Sequence, residues 1–257
     1  SNISVPTTSN AFDNTQNSGD NYLAVFNKAL DTLVYATWLG STANEEGTGM
    51  NYGVQSIQCI NDSSCVLGFM VGAALPTSSP NYLPKTVFDN SYNAGREMFI
   101  CKFDSLNKMQ WGTYVGGANN DFFNDLEVRP DGKICFVGWT DGSLPAGYEV
   151  SGLATNSAGA DNDGIIGLLS SDGVTMTYLD EIGAAGNDRI FDVEPYGDVL
   201  YFTGAVGTGF PLGSGTVYDN TFNGGATDIM VGRVTNPGPS GTYKATFYGP
   251  TTTGLPG

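Results

Sequence analysis

Residues 97–104 read Glu97-Met98-Phe99-Ile100-Cys101-Lys102-Phe103-Asp104, an acidic residue followed by a strand-like alternation. The same pattern recurs at residues 20–27, 163–170 and 228–235. Corresponding positions of the four copies are separated by 77, 66 and 65 residues. An internal repeat of this length indicates structural units that stack on one another and share a core.

Three further elements recur in a fixed order within each unit. A Tyr-x-Thr-aromatic-Leu-Gly segment follows each alternating run, then a hairpin, then a Phe-Asp-Asn segment. The hairpin is predicted around Pro130-Asp131-Gly132, because a glycine at the tip of a short turn suits two antiparallel strands. The copies are 35–40, 111–116, 178–183 and 245–249 for the first segment, 126–138 and 191–204 for the hairpin, and 12–15, 88–91, 218–221 and a degenerate 153–156 for the last.

The alternating runs could also be fitted to the face of a helix, most readily between Leu23 and Leu39. The equivalent stretches of the other units carry Gly112, Gly164, Gly167 and Gly173, which weaken a helix. Their period of two is that of half-buried strands. The sequence therefore predicts an all-β fold.

Composition excludes several classes of function. The 257 residues carry 10 Lys+Arg against 26 Asp+Glu, a net charge of −16, which disfavours nucleic acid and anionic membranes as partners. Histidine is absent, so Ser-His-Asp triads and histidine metal sites are excluded. No apolar run approaches the length of a transmembrane helix.

The cysteines and the N-terminal residues bear on the compartment. Cys59 and Cys65 flank a turn-like segment, so a hairpin disulfide is predicted, the alternative being two buried thiols. Cys101 and Cys135 lie in apolar strand-like runs, which favours structural burial. Residues 1–10 are polar and show no signal peptide, so we expect any secretory signal to have been removed or to lie outside this sequence.

The candidate site residues are four aspartates and one tryptophan. Asp121 and Asp125 match Asp188 and Asp192 in the next unit, where paired carboxylates could bind calcium or act as acid and base. Their recurrence favours a structural role, such as bonding backbone amides in a turn. Trp139 is the one aromatic residue whose repeat position varies, being matched by Phe69 and Ala205, which makes it a candidate for a ligand surface. No acidic pair was found to depart from the repeat, so the sequence predicts no enzyme, no catalytic residue and no cofactor other than calcium.

The order of these elements resembles the bacterial β-propeller repeat often labelled SBBP, from about Val5 to Gly249. The shared order has five elements: the alternating strand, Tyr-x-Thr-aromatic-Leu-Gly, a hairpin with Asp-Gly, aromatic-Val/Thr-Gly, and Phe-Asp. The resemblance implies a secreted or cell-surface protein, commonly one module of a large adhesin-like chain. It transfers no catalytic residue, because the motifs of the family are structural. The first unit departs from the pattern by being about eleven residues longer than the others.

The predicted fold is therefore a single β-propeller, or a portion of one, over residues 1–257. It has four-stranded antiparallel blades, with about three complete repeats (20–95, 96–160 and 161–225) and a split blade made of 226–257 with 1–19. Because the split blade lacks a hairpin, the chain is predicted to be a fragment, a four-bladed ring, or a subunit completed by another chain. The termini are expected to pair with β-structure outside their own segments, with each other or with a neighbouring chain.

The predicted function is that of a non-enzymatic extracellular structural or adhesion module that can assemble head to tail into a filament or surface array. A carbohydrate- or protein-binding propeller domain of a larger secreted protein is the alternative. Partners are expected to be copies of the chain or flanking domains at the open blade edge, or surface glycans and proteins. Neither nucleic acid binding nor membrane insertion is expected.

Overall fold

The computed structural model describes residues 5–17, 19–41, 56–60, 64–75, 86–144, 161–238 and 240–248. The regular secondary structure of these residues consists of β-strands. No helix among them is long and apolar enough to cross a membrane.

Fourteen strands are formed by the described residues, and nearly all are six to eight residues long. They are β1 Asn21–Phe26, β2 Leu33–Leu39, β3 Ser56–Ile60, β4 Ser64–Val71, β5 Glu97–Phe103, β6 Met109–Val115, β7 Asp121–Val128, β8 Ile134–Thr140, β9 Asp163–Leu169, β10 Met176–Ile182, β11 Arg189–Tyr196, β12 Val199–Val206, β13 Asp228–Thr235 and β14 Thr242–Tyr248.

The strands form three four-stranded sheets and one two-stranded sheet, with antiparallel pairing throughout. The four-stranded sheets are β3-β4-β5-β6, β7-β8-β9-β10 and β11-β12-β13-β14, and β1 pairs with β2. The all-β prediction is confirmed. The alternating runs β5, β9 and β13 each occupy the third place in a sheet, as the repeat requires.

Each four-stranded sheet combines the hairpin of one sequence unit with the first two strands of the next. The second sheet, for example, takes β7 and β8 from the unit 96–160 and β9 and β10 from the unit 161–225. A repeat can be divided at any point in the sequence, whereas hydrogen bonding fixes which strands share a sheet. The C-terminal strands β13 and β14 are consequently paired within the chain, next to β12.

The predicted hairpin is β7–β8, and β11–β12 is its counterpart in the next sheet. At the turn the Gly132 N–H donates to the Arg129 carbonyl at 2.8 Å. Gly132 has φ of +83°, a conformation that costs glycine little. The hairpin prediction is confirmed in both sheets.

The Phe-Asp-Asn segments run along the outer edge of the last strand of a sheet, namely β2, β6 or β14. The Asp89 N–H donates to the Thr113 hydroxyl at 2.9 Å, and that hydroxyl donates back to the Asp89 carbonyl at 2.9 Å. The aspartate carboxylate accepts from the Ser91 N–H at 2.8 Å, closing a short turn. The same bonds join Asp13 to Thr37 and Asp219 to Thr246. The degenerate copy at 153–156 lies outside the described residues.

These segments change the expectation for the N-terminus. The sequence predicts that the N-terminal segment pairs with the C-terminus or with another chain, which would bury its one phenylalanine, Phe12. It is buried by the strands that follow it, and its N–H donates to the Tyr35 hydroxyl at 3.1 Å. The N-terminal segment lies along β2 and the C-terminal strands lie in the third four-stranded sheet, so the two segments do not form the predicted split blade.

The apolar core consists of three clusters, each between consecutive sheets. Ile100 and Trp111 of the first four-stranded sheet pack with Phe123 of the second. Ile166 of the second packs with Ile190 of the third. The middle sheet is thus covered on both faces, and β9 is buried at every residue, whereas β13 alternates between buried and exposed side chains.

Candidate functional site

The structure places Asp121 and Asp188 at turns, where they bond backbone amides. Asp121 Oδ2 accepts the Gly117 N–H at 2.7 Å. The two carboxylate oxygens of Asp188 accept the N–H groups of Ala184 and Gly207, each at 2.7 Å. Both aspartates are fully buried, and burial raises the pKa of Asp121 to about 7 and that of Asp188 to about 6. Bonding of backbone amides in a turn is the structural role that the recurrence of these aspartates predicts.

Asp125 and Asp192 lie elsewhere, on β7 and β11, the first strands of two neighbouring sheets. Asp125 Oδ2 accepts the Val193 N–H at 3.3 Å across the sheet interface. Burial and the adjacent Asp192 carboxyl raise the pKa of Asp125 to about 6. Asp125 and Asp192 therefore lie at the interface between two sheets. They do not contribute to the turns at which Asp121 and Asp188 bond backbone amides.

Other polar side chains link the first strands of neighbouring sheets, β3 to β7 and β7 to β11. Gln58 Nε2 donates to Glu127 Oε1 at 2.6 Å, and Asn124 Nδ2 donates to the Ile190 carbonyl at 2.6 Å. Burial and Glu194 raise the pKa of Glu127, against the effect of the Gln58 bond. No group of three or more His, Cys, Asp or Glu side chains among the described residues is arranged to hold a metal ion. The four calcium candidates are thus divided between turns and a sheet interface.

Trp139 is covered on both faces of its ring. The Phe122 ring stacks on it with centroids 3.6 Å apart and planes at 10°, and the Arg189 guanidinium lies 4.2 Å from the ring centroid. Only 7% of the side chain is exposed. Because both faces are occupied by the chain itself, the structure argues against Trp139 as a surface for stacking a ligand.

Asp180 and Glu181 form an acidic pair that does depart from the repeat. The other copies have threonine and an aromatic residue at these two positions: Thr37-Trp38, Thr113-Tyr114 and Thr246-Phe247. Both carboxylates are buried. Asp180 accepts from the Tyr178 hydroxyl at 3.2 Å, and Glu181 accepts from the Leu144 N–H at 3.0 Å. The prediction that no acidic pair departs from the repeat is therefore wrong. Alignment of the four copies shows the departure, because two carboxylates replace a threonine and an aromatic residue.

Cys59 and Cys65 are opposite each other in the β3–β4 pair, and their sulphur atoms are 2.8 Å apart. The structure has both as thiols, Cys59 exposed and Cys65 half-buried, so the disulfide stays a prediction. Cys101 and Cys135 are buried, and burial raises the pKa of the Cys135 thiol to about 12. A buried thiol with a raised pKa is unreactive, as expected for structural cysteines.

We expect mass spectrometry of unreduced peptides to find Cys59 and Cys65 joined when the protein is prepared under oxidising conditions. Closing so short a loop stabilises a fold by roughly 2–3 kcal/mol on the chain-entropy model. Reduction should therefore lower the melting temperature of the wild-type protein and leave that of a Cys59→Ser, Cys65→Ser variant unchanged. Alkylation of both thiols without prior reduction would contradict the prediction.

The two ends of the array of sheets expose apolar side chains. At the first end, a groove of about 650 Å³ lies beside the free edge of β1, lined by Leu23, Val25, Phe26, Val34 and Ile57 among others. Phe26, Val34 and Ile57 are about half exposed.

At the second end, the outer face of β11-β12-β13-β14 exposes Val231 by 45% and Tyr248 by 63%. Their counterparts in the preceding sheet, Ile166 and Ile182, are fully buried. These two surfaces are the candidate functional sites of the molecule.

No protein-family model matches the sequence, and no curated protein matches it either.

Proposed function

We propose that the chain is a portion of a β-propeller and serves as a non-enzymatic structural and adhesion module on the outside of a bacterial cell. Three sheets with the same strand order, each packed on the next, support the propeller. The extracellular location rests on the resemblance to SBBP repeats. Asp121, Asp125, Glu181 and Asp188 each accept a backbone N–H, which supports a structural role for these carboxylates.

The observation that carries this proposal is the two-stranded sheet. Each of the other three sheets has a hairpin beside its alternating strand, namely β3–β4, β7–β8 and β11–β12. Among the described residues, β1 pairs with β2 alone. The apolar groove lies on the side of β1 where a hairpin would stand by analogy.

The occupant that fits this groove is an added edge strand with an apolar row on the same face as Leu23 and Val25, because the three described hairpins are already hydrogen-bonded within their own sheets. A free strand edge offers unpaired N–H and C=O groups, and an added strand satisfies them. The proposal is that a second copy of the chain supplies this β-structure. Such a contact is head-to-tail, and if its rotation does not close a ring, it propagates into a filament.

We expect Phe26→Lys to weaken self-association at least about tenfold, because burying a lysine charge in an apolar contact costs more than 1.4 kcal/mol. Phe26 is half exposed, so the fold should tolerate the change. Tyr196→Lys, at an exposed residue of the β11–β12 turn outside the groove, is the matched control. Analytical ultracentrifugation with electron microscopy measures the effect. A wild-type protein that stays monomeric, or a variant that associates as the wild type does, would refute assembly through β1.

A second candidate function is ligand binding, the alternative from the sequence. It is favoured by two adjacent cations, Arg233 and Lys244, in a pocket on the outer face of the last sheet.

A further inference from the structure

Arg233 and Lys244 lie directly opposite each other on strands β13 and β14. Tyr201 on β12 is opposite Arg233 on the other side, so the three side chains form a row across the outer face. Like charges at directly opposed positions of a sheet repel each other and destabilise the pair. The repulsion is relieved when an anion binds between them.

The described part of the chain provides no such anion. Its three ion pairs all involve Arg129 or Lys133, and none involves Arg233 or Lys244. The carboxylate of the same row is Glu194, opposite Tyr201 on β11, two strands away from Arg233 and roughly 10 Å distant. In a chain with 26 acidic and 10 basic residues, two adjacent cations without a carboxylate partner are unexpected.

Lys244 also departs from the repeat. The position of Lys244 is occupied by Trp111 and Tyr178 in the two preceding sheets, and both are buried beneath the next sheet. The position of Arg233 is occupied by Lys102 and Leu168. The last sheet therefore does not present the surface that joins the inner sheets, and its charges suit a different occupant.

The row lies in a pocket of about 230 Å³ whose walls include Tyr201 and Tyr218. Thr216, Val217 and Gly232 also contribute to its lining. Pockets for drug-sized ligands are roughly 300–1,000 Å³, so this one suits a single ring. Exposed tyrosine rings offer apolar faces to a sugar, and a guanidinium binds a carboxylate through two parallel hydrogen bonds.

We propose that this pocket binds the carboxylate of a uronic acid residue at the end of a glycan chain. Arg233 and Lys244 hold the carboxylate, and the ring of the sugar packs against Tyr201 or Tyr218. A monoanionic sugar meets little repulsion from the rest of the acidic protein, because at physiological salt charges beyond about 8 Å are screened. The inference deepens the adhesion part of the proposed function, but it concerns a different sheet from the β1 edge and does not depend on assembly.

The test compares methyl β-D-glucuronide with methyl β-D-glucoside, which lacks the carboxylate, by ligand-observed NMR on the full chain. We expect the glucuronide to bind with a dissociation constant on the order of 1 mM, typical for so small a ligand in a shallow site, and the glucoside to bind at least tenfold more weakly. Arg233→Gln and Lys244→Gln should each weaken glucuronide binding about tenfold. Lys102→Gln, at the position equivalent to Arg233 in the first four-stranded sheet, should leave it unchanged.

Equal binding of glucuronide and glucoside, or of glucuronide and acetate, would overturn the proposal, as would unchanged binding in the Arg233→Gln, Lys244→Gln double variant. Circular dichroism establishes that each variant is folded. If ultracentrifugation shows that wild-type chains associate and that the double variant is monomeric, this face is a protein interface and the glycan proposal is wrong. Failure of Phe26→Lys to affect assembly would leave the glucuronide result standing.

Discussion

Replacing Gly167 by alanine is expected to destabilise the protein by about 3 kcal/mol, which corresponds to roughly 6–12 °C in melting temperature. Gly167 on β9 is directly opposite Phe136 on β8. A Cβ atom at residue 167 would lie 2.0 Å from Cζ of Phe136, far closer than van der Waals contact allows. Phe136 is fully buried, so its ring cannot move aside without displacing its neighbours.

The expected cause can be separated from a general loss of strand stability by a double-mutant cycle. Phe136→Leu removes the ring that occupies the space, so Gly167→Ala should cost much less in that background. Gly232→Ala is a second case, because Phe202 covers Gly232 in the same way and the Cβ distance would be 2.3 Å. Thermal unfolding by circular dichroism measures the four proteins of the cycle and the Gly232→Ala variant. Additive effects of Gly167→Ala and Phe136→Leu would show that the ring is not responsible.

The second large effect concerns pH, and the protein is expected to become more stable as pH falls from about 8 to about 5. Burial raises the folded-state pKa of several carboxyl groups far above their values in an unfolded chain. These are Asp121 and Glu97, each with a pKa of about 7, and Asp125 and Asp188, each with a pKa of about 6. Asp121 and Glu97 are close together, since both would meet a Cβ atom at Gly116.

The sign follows from the protons bound in each state. The unfolded chain releases the proton of an ordinary aspartate near its usual pKa of 3.8, whereas the folded protein keeps that of Asp121 until about pH 7. The stability that this proton provides is complete below about pH 4 and is lost as the pH rises through 7. We expect the melting temperature to be higher at pH 5 than at pH 8 by at least about 5 °C.

Asp121→Asn tests the origin of this dependence. Asparagine can still accept the Gly117 N–H but carries no charge, so the variant should melt at a higher temperature than the wild type at pH 8 and show a weaker dependence on pH. Asp31→Asn is the control, because Asp31 is exposed and hydrogen bonds from Asn27 and Thr32 lower its pKa. Measurement at high salt suppresses the general repulsion from the net charge of −16. A melting temperature that is independent of pH, or that falls toward pH 5, would contradict the expectation.

The elements with local causes were predictable from the sequence. The β7–β8 hairpin follows from Asp131-Gly132 between two alternating runs, and its strands are where the pattern places them. The Asp89 turn follows from the Phe-Asp-Asn motif, because an aspartate bonds a backbone amide two residues ahead of it. Even the Asp180-Glu181 pair could have been found by aligning the four copies.

Contacts between distant residues were not predictable in this way. The sequence places Asp121 and Asp125 four residues apart, yet one bonds the Gly117 amide and the other the Val193 amide of the next sheet. Trp139 stands out in the sequence because its repeat position varies, but Phe122 and Arg189 cover it. The residue on the other side of an interface has no fixed spacing in sequence, and it decides whether a side chain binds a ligand or fills the core.

The sequence by itself determined that the chain repeats, that its units are strands and hairpins, and which residues form the turns, because these depend on backbone preferences and period-two alternation over a few residues. The tertiary structure decided which strands share a sheet and which face of each sheet is covered. Ile166 and Val231 occupy the same place in the repeat, but a following sheet buries the first and leaves the second 45% exposed. Burial is a property of the neighbour as much as of the residue, and the last sheet has no following sheet among the described residues.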